Sequence, residues 1–299
     1  MNNTIYDIAI IGAGAAGCAA AYKIANENKS AKVVMFDIGA AFSKRRSQLC
    51  GALGAFPFSD GKLWLNDIKK VEDICGKRKT NKAIKEVNNI FGQVSDLKII
   101  KDKKINVSLE KRIKKQNYDI TYNNYIQFYP SHIHTLSKII SSTLDKTDNI
   151  VCSFNNEIHD IEKHKNIFLL NSDDGEFKAK KVLIAVGRSG WRWAGKIFKK
   201  FGIIENNDYS KFGIKVEMSA NNLKDFNKAN CTISNENLEL GPFSWSGTVI
   251  PEDHLDMAIS SFRSNESRWE TDKVSFDLIG NRYFKDNGYQ QTDRIANLT

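Results

Sequence analysis

Apolar positions open this chain at strand spacing and then change to helix spacing within a dozen residues. Ile5 to Ile11 (IYDIAII) is a β-branched run that predicts a buried parallel strand. The alanine-rich stretch Ala15 to Asn28 predicts a helix, and Lys32 to Phe36 predicts a second strand that ends on an acid, Asp37. Leu49 to Leu65 (LCGALGAFPFSDGKLWL) follows, where Gly51, Gly54, Pro57 and Gly61 forbid a regular helix and predict a loop. Asn66 to Gln116 is polar, lysine-rich and weakly periodic, which predicts one or two helices. A further helix is expected from Pro130-Ser131, with Ser131 as N-cap and Ile133, Leu136, Ile140 and Leu144 on one face. From Ile150 to Ala179 the segments VCSF, EIHDIE, NIFLLN and EFKAK predict a small β-meander, with Asp174-Gly175 as a hairpin turn. Lys181 to Gly187 predicts another apolar parallel strand. A helix then places Trp193, Ala194, Ile197, Phe198 and Phe201 on one face and stops at Gly202. Beyond Ile203 the pattern alternates (Phe212, Ile214, Val216, Met218), and CTIS, GPFSWSGTVI and KVSFDLI read as further strands.

The junction between the first strand and the first helix carries the chemistry. Gly12, Ala13, Gly14, Ala15, Ala16 and Gly17 spell a dinucleotide-binding turn, and each glycine has a physical reason to be there. Gly12 makes the tight turn, Gly14 lets a diphosphate approach bare backbone, and Gly17 lets helix and strand pack closely. The helix N-terminus adds N–H groups and partial positive charge for the phosphates. Asp37 lies about twenty residues past the last glycine, the offset of a carboxylate that accepts ribose hydroxyls. A lone GxGxxG says little; strand, glycines, helix, strand and acid in order say that an adenine dinucleotide binds.

Composition narrows the class. With 41% apolar and 26% charged residues the 299-residue chain is globular, long enough for one large domain or two ordinary ones. A mean hydropathy of -0.42 and the lack of a long apolar run argue against a transmembrane helix. Met1 to Asp7 has no basic region of the kind that opens a signal peptide. Five cysteines (Cys18, Cys50, Cys75, Cys152, Cys231) form no CxxC or CxxxxC, so no zinc ribbon or dithiol pair is available, and scattered thiols suit a cytoplasmic protein. His132 and His134 form an HxH pair without a carboxylate or cysteine cluster; solvated helix-end histidines are expected, and no metal. The net charge of +9 is concentrated in Lys98 to Lys104 and Lys111 to Lys115, read as solvated helical faces in preference to a nucleic-acid footprint.

Two widely separated elements, the GxGxxG unit and the strand ending Ala185-Val186-Gly187 after a meander, resemble the paired FAD signatures of the two-dinucleotide-binding-domain flavoproteins. More specifically, the chain resembles a poorly characterised family of bacterial FAD-dependent dehydrogenases. The residues that carry the likeness are FSDGKL (Phe58 to Leu63), Gly187-Arg188-Ser189-Gly190, and GIKVE (Gly213 to Glu217); it covers most of Tyr6 to Glu217 and fades afterwards. The implied fold is α/β: a Rossmann-like FAD-binding domain with a β-meander, plus a second, sheet-based substrate domain. The implied boundaries are 1–65 and 131–202 for the two parts of the FAD-binding domain, 66–130 for a helical lysine-rich insertion, and 203–299 for the substrate domain.

The resemblance implies that Gly12, Gly14 and Gly17 hold the FAD diphosphate and Asp37 the adenosine ribose. Ala13, Ala15, Ala16, Ile38 and Gly54 join them as candidate cofactor contacts. It places Ser59, Asp60, Gly61 and Lys62 near the flavin, Ile158 beside the adenine through its backbone, and Ala185, Gly187 and Arg188 over the cofactor. Lys62 is the candidate catalytic residue, an ammonium that would stabilise the anionic reduced flavin. The expected activity is that of an FAD-dependent oxidoreductase passing electrons between a small-molecule substrate and the flavin. Only one GxGxxG occurs and CxxxxC is lacking, so a second domain for NAD(P)H and a disulfide-reductase mechanism are disfavoured. Two other readings stay open: an RNA-modifying flavoprotein that uses the basic surface, and a non-catalytic dinucleotide-binding protein. Flavoproteins of this group also return to the nucleotide domain with a late glycine-rich turn, which Gly280-Asn281-Arg282 is too polar to supply. The expectation is therefore a truncated or split protein that binds FAD weakly.

Overall fold

The computed structural model describes residues 4–45, 49–65, 68–187, 189–203, 209–246, 248–254, 257–264, 271–284 and 291. Contacts divide the chain into two compact units. The first comprises Met1–Phe58, His134–Glu205 and Glu252–His254; the second comprises Ser59–Ile133, Asn206–Pro251 and Leu255–Thr299.

In the first unit the opening apolar run is two strands, not one. Strand β1 (Ile5–Tyr6) and strand β2 (Ile8–Ile11) are separated at Asp7, whose carboxylate binds Lys32 N at 2.9 Å and Lys180 Nζ at 2.8 Å. Satisfying a charged side chain there diverts the chain from one sheet to another. Helix α1 (Ala15–Glu27) and strand β3 (Val33–Asp37) follow as read from the pattern. Helix α2 (Pro130–Asp145) then leads to strand β4 (Ile150–Phe154), which pairs in parallel with β3. The segment VCSF therefore belongs to the nucleotide-type sheet and not to the meander. Its buried Ile150 sits level with Val33, so it extends the parallel sheet by one strand.

The meander proper is β5 (Ile158–His164), β6 (Ile167–Ser172) and β7 (Gly175–Ala179), antiparallel throughout, with β1 added in parallel to β7. Its last turn is centred on Asp173-Asp174, one residue earlier than expected, because Gly175 already pairs with Ser172. Strand β8 (Val182–Ile184) completes a four-stranded parallel sheet in the order β8-β2-β3-β4, and helix α3 (Trp191–Lys200) follows. Alternation within the parallel strands gives the sheet two faces. Ala9, Ile11, Val34 and Phe36 pack with Ile158, Ile161, Leu170 and Ile197 in one core. Ile133, Leu136, Ile140 and Leu144 of α2 are all buried, as the helical spacing required. Ser131 is not the N-cap: α2 already includes Pro130, whose fixed φ and missing N–H suit the first helical position, and Ile133 N bonds to Tyr129 O.

The second unit is sheet-rich. Strands Tyr209–Ser219 and Lys273–Tyr283 pair antiparallel along their whole length, and Leu238–Leu240, Thr232–Ser234 and Asp119–Thr121 continue that sheet. Phe226, Cys231, Phe243, Val274 and Phe276 form its core, with Trp245 against them. Lys62–Trp64, Tyr125–Gln127 and Ile99–Ile100 make a smaller sheet. Thr248–His254 pairs with Met257–Ser264. The lysine-rich segment holds three helices, Ile68–Cys75, Lys77–Phe91 and Val107–Lys115, where one or two were expected. Gly76, at φ +81°, separates the first two. Among the described residues no helix is long and apolar enough to cross a membrane.

Candidate functional site

The glycine turn sits at the C-terminal end of β2, where open α/β sheets bind ligands. Its three glycines play three different parts. A Cβ on Gly12 (φ +98°) would collide with the backbone of Ala185, and one on Gly17 would collide with the carbonyl oxygen of Gly12. Both are demanded by the protein's own packing. Gly14 is different: a Cβ there would have nothing within 4 Å. No side chain caps the first turn of α1, whose N-cap is Gly14 itself. Open space over bare backbone at an uncapped helix N-terminus fits a diphosphate, which the dipole and the terminal amides would favour.

Asp37 lies at the end of β3 and is already engaged. Its Oδ2 accepts from Ala13 N at 2.8 Å, and its Oδ1 accepts from Gly39 N at 2.8 Å and Gly51 N at 2.7 Å. Ala13, fully buried, spends its amide on this bond and its carbonyl on Leu53 N and the Cys18 thiol. The loop around Gly51 is thereby drawn onto the turn. Leu53 bridges Gly14 in parallel, and a Cβ on Gly54 would lie 3.3 Å from Gly14 Cα. Gly39 and Gly51 touch backbone to backbone, since a Cβ on Gly39 would run into Gly51 N.

Arg45 was not among the residues singled out from the sequence. Its Nη1 donates to Ala52 O at 2.8 Å and Gly54 O at 2.6 Å, and the guanidinium lies 5.1 Å from the centre of the Phe58 ring. Burial lowers its pKa, and nearby Asp37 opposes that shift. An arginine in the run Ser43-Lys44-Arg45-Arg46 has no periodic signature; only its carbonyl partners reveal it. Of the other expected contacts, Ala185 backs onto Gly12 and donates its N–H to Ile11 O at 2.7 Å. Gly187 (φ +61°) is exposed with open space around its missing side chain, and Ile38 is also exposed. Ile158 is 3% exposed, its side chain committed to the core. Arg188 lies outside the described residues.

Ser59, Asp60, Gly61 and Lys62 belong to the second unit. Gly61 (φ +70°) is required because a Cβ would strike Phe128 O, and Phe128 N donates to Gly61 O at 2.7 Å. Ser59 Oγ and Asp60 Oδ1 accept the amides of Gly61 and Lys62. The Lys62 side chain is only 5% exposed, with Nζ 3.3 Å from Asp60 Oδ2 and 3.3 Å from Ser244 Oγ. The rings of Trp64 and Tyr125 flank it at 5.5 and 5.7 Å. Sequence reasoning found Lys62 but not Ser244, which is 182 residues away and sits in an unremarkable serine-tryptophan pair.

A separate cavity of about 450 Å³ lies within the first unit beside α2, lined among others by Cys18, Phe42, Lys138, Leu144, Cys152 and Phe154. Burial pushes the Cys18 thiol up to about 12 and that of Cys152 to about 11, so both are protonated at neutral pH. His132 packs edge-on to Tyr129, and His134 lies near Phe42. Among the described residues no group of three or more His, Cys, Asp or Glu side chains is placed to hold a metal ion.

A family model described as glucose inhibited division protein A matches residues 7–237. No curated protein matches. Among solved structures, the glycine oxidase of Bacillus cereus ATCC 14579 is 14% identical, with 94% of this chain and 73% of that chain covered at a TM-score of 0.43. The glycine oxidase of Geobacillus kaustophilus is 14% identical, with 93% and 83% covered at 0.41. L-proline dehydrogenase from P. horikoshii is 14% identical, with 71% and 59% covered at 0.42. At this distance the likeness does not extend to substrates or site residues.

Proposed function

The chain belongs to the glucose inhibited division protein A family, and from that premise we propose that the Gly12–Gly17 turn holds the diphosphate of FAD while a small organic molecule exchanges electrons with the flavin. The protein is an FAD-dependent oxidoreductase. The observation that carries the cofactor assignment is the unfilled approach to Gly14 beside the uncapped start of α1. When bound, FAD supplies a two-electron carrier; the chain supplies binding, orientation and electrostatics.

In this reading Ala15, Ala16 and Gly17 face the phosphates through backbone, and Gly54 forms part of the opposite wall. Ile38 and the backbone of Ile158 border the adenosine, and Ala185 and Gly187 close the remaining side. Lys62 acts as the catalytic residue, its ammonium steadying negative charge on the reduced ring. Its cage supports that role: the carboxylate of Asp60 pairs with the ammonium at 3.3 Å, and the rings of Trp64 and Tyr125 flank it. Ser59, Asp60 and Gly61 hold the strand that carries it. In this reading the protein is cytoplasmic, where five free thiols would stay reduced.

The test is the absorption spectrum of purified protein, followed by identification of the nucleotide released on denaturation. FAD is expected to bind at one per chain when the protein is incubated with it; NAD alone, or no nucleotide after incubation with FAD, would overturn the assignment. Lys62→Met tests the catalytic role: slower flavin reduction and a lower flavin potential are expected, and no change in either removes Lys62 from the mechanism.

A further inference from the structure

The ammonium of Lys62 is held by two acceptors that lie far apart in the sequence. Asp60 approaches it at 3.3 Å through Oδ2, and Ser244, 182 residues away, accepts from Nζ at 3.3 Å. Ser244 Oγ in turn donates to Asp60 Oδ2 at 3.3 Å, which closes a triangle of amine, hydroxyl and carboxylate. The Lys62 and Asp60 side chains are 5% and 20% exposed, so little water competes for these bonds.

An ammonium that faces a carboxylate without competition closes to about 2.7–2.9 Å. Here the amine stands farther off, at the same distance from the hydroxyl as from Asp60, so it is shared between them. Asp60 has further duties: its Oδ1 accepts the Lys62 amide, and its backbone carbonyl accepts from Gln127 Nε2 at 2.8 Å. The carboxylate is thus tied to the same loop as the lysine and cannot by itself fix the end of a long side chain. Ser244 can. It lies between Phe243, 1% exposed, and Trp245, whose Nε1 donates to Ala229 O at 2.7 Å. Its backbone pairs with Ser275, itself buried. A hydroxyl held on both sides by the core is a fixed point for a flexible four-carbon stem.

We propose that Ser244 is a positioning residue for Lys62, holding the ammonium off Asp60 so that its charge stays available to the flavin. The inference rests on the catalytic reading of Lys62. Without the hydroxyl the amine closes on Asp60, and the field of the pair weakens because opposite charges nearly coincide.

The test uses the full chain incubated with FAD, with sulfite as the probe. Sulfite adds through sulfur to N5 of the oxidised flavin, and the electron pair displaced passes to the N1–C2 carbonyl side, so a nearby cation favours the adduct. Loss of flavin absorbance reads the affinity. Lys62→Met and Ser244→Ala should each weaken sulfite binding by about tenfold. Ser244→Thr keeps the hydroxyl and should stay within about threefold of wild type. With Lys62→Met already present, Ser244→Ala should add nothing, because it acts through the amine. The chain without FAD gives a second readout by nitrogen-15 NMR. The Lys62 ammonium signal, identified by its loss in Lys62→Met, should exchange hydrogens with water faster in Ser244→Ala. Sulfite affinity that falls in Lys62→Met but not in Ser244→Ala would overturn the proposal. So would unchanged ammonium exchange, or a full loss from Ser244→Ala when Lys62 is already gone. Unchanged affinity in Lys62→Met would instead bring down the catalytic reading of Lys62 itself.

Discussion

At the scale of single residues, Gly14 and Gly17 differ in what needs them, and substitution separates protein from ligand. Gly17→Ala forces a methyl group into Gly12 O and leaves Ile10 Cγ2 at 3.2 Å, so it should cost about 2 kcal/mol in denaturant unfolding. Gly14→Ala meets empty space in an extended conformation that alanine adopts freely, so stability should hold within about 0.5 kcal/mol. FAD affinity should nevertheless fall in Gly14→Ala, because the methyl group occupies the approach to the backbone. Calorimetric titration of the two variants beside their unfolding curves checks both statements. The cysteines make a second contrast. With a pKa pushed to about 12, Cys18 should resist a thiol reagent at pH 8, while exposed Cys75 reacts at once; mass spectrometry of the partly labelled chain reads the order.

Secondary elements show which sequence signals were local and which were not. The unit β2-α1-β3 was legible because strand period, glycines and helix period follow one another within forty residues. The apolar face of α2 was legible for the same reason. Membership of β4 in the parallel sheet was hidden, since VCSF has the same alternation whether its neighbour is Val33 or Ile158. The break at Asp7 was equally hidden: its reason is a lysine at position 180 and an amide at position 32. Long-range partners also explain why Ser244 and the bonds of Asp37 to Ala13 and Gly51 escaped the pattern, while Arg45 bonds carbonyls seven and nine residues on, a spacing that belongs to no periodic element. Asp7, Asp160 and Asp173 have pKa values lowered by hydrogen bonds to, respectively, Lys180, Lys200 and the Glu157 backbone. A lowered folded-state pKa contributes stability above the ordinary carboxylate range and loses it as pH falls through the lowered values. The first unit should therefore be insensitive to pH from neutrality to about 5 and weaken gradually below about 4. Because these pairs are exposed, the loss should be modest and should shrink in high salt. Acid titration followed by circular dichroism, at low and high salt, tests the sign.

For the whole molecule, a cofactor that binds only the folded chain must stabilise it by mass action. FAD at a hundred times its dissociation constant should add about 2.7 kcal/mol, and the midpoint of thermal unfolding should rise with FAD concentration. Adding FMN, which lacks the adenosine monophosphate half of FAD, should leave that midpoint where it was. The split of the opening run has a last implication, for engineering. Strand β1 covers one margin of the meander by pairing with β7, while β2 lies inside the parallel sheet. Trimming the chain back to Asp7 would leave the nucleotide turn intact but strip the ladder from Lys178 and Ala179. That uncovered margin would be a template for self-association, so such a shortened protein should precipitate before it loses its cofactor.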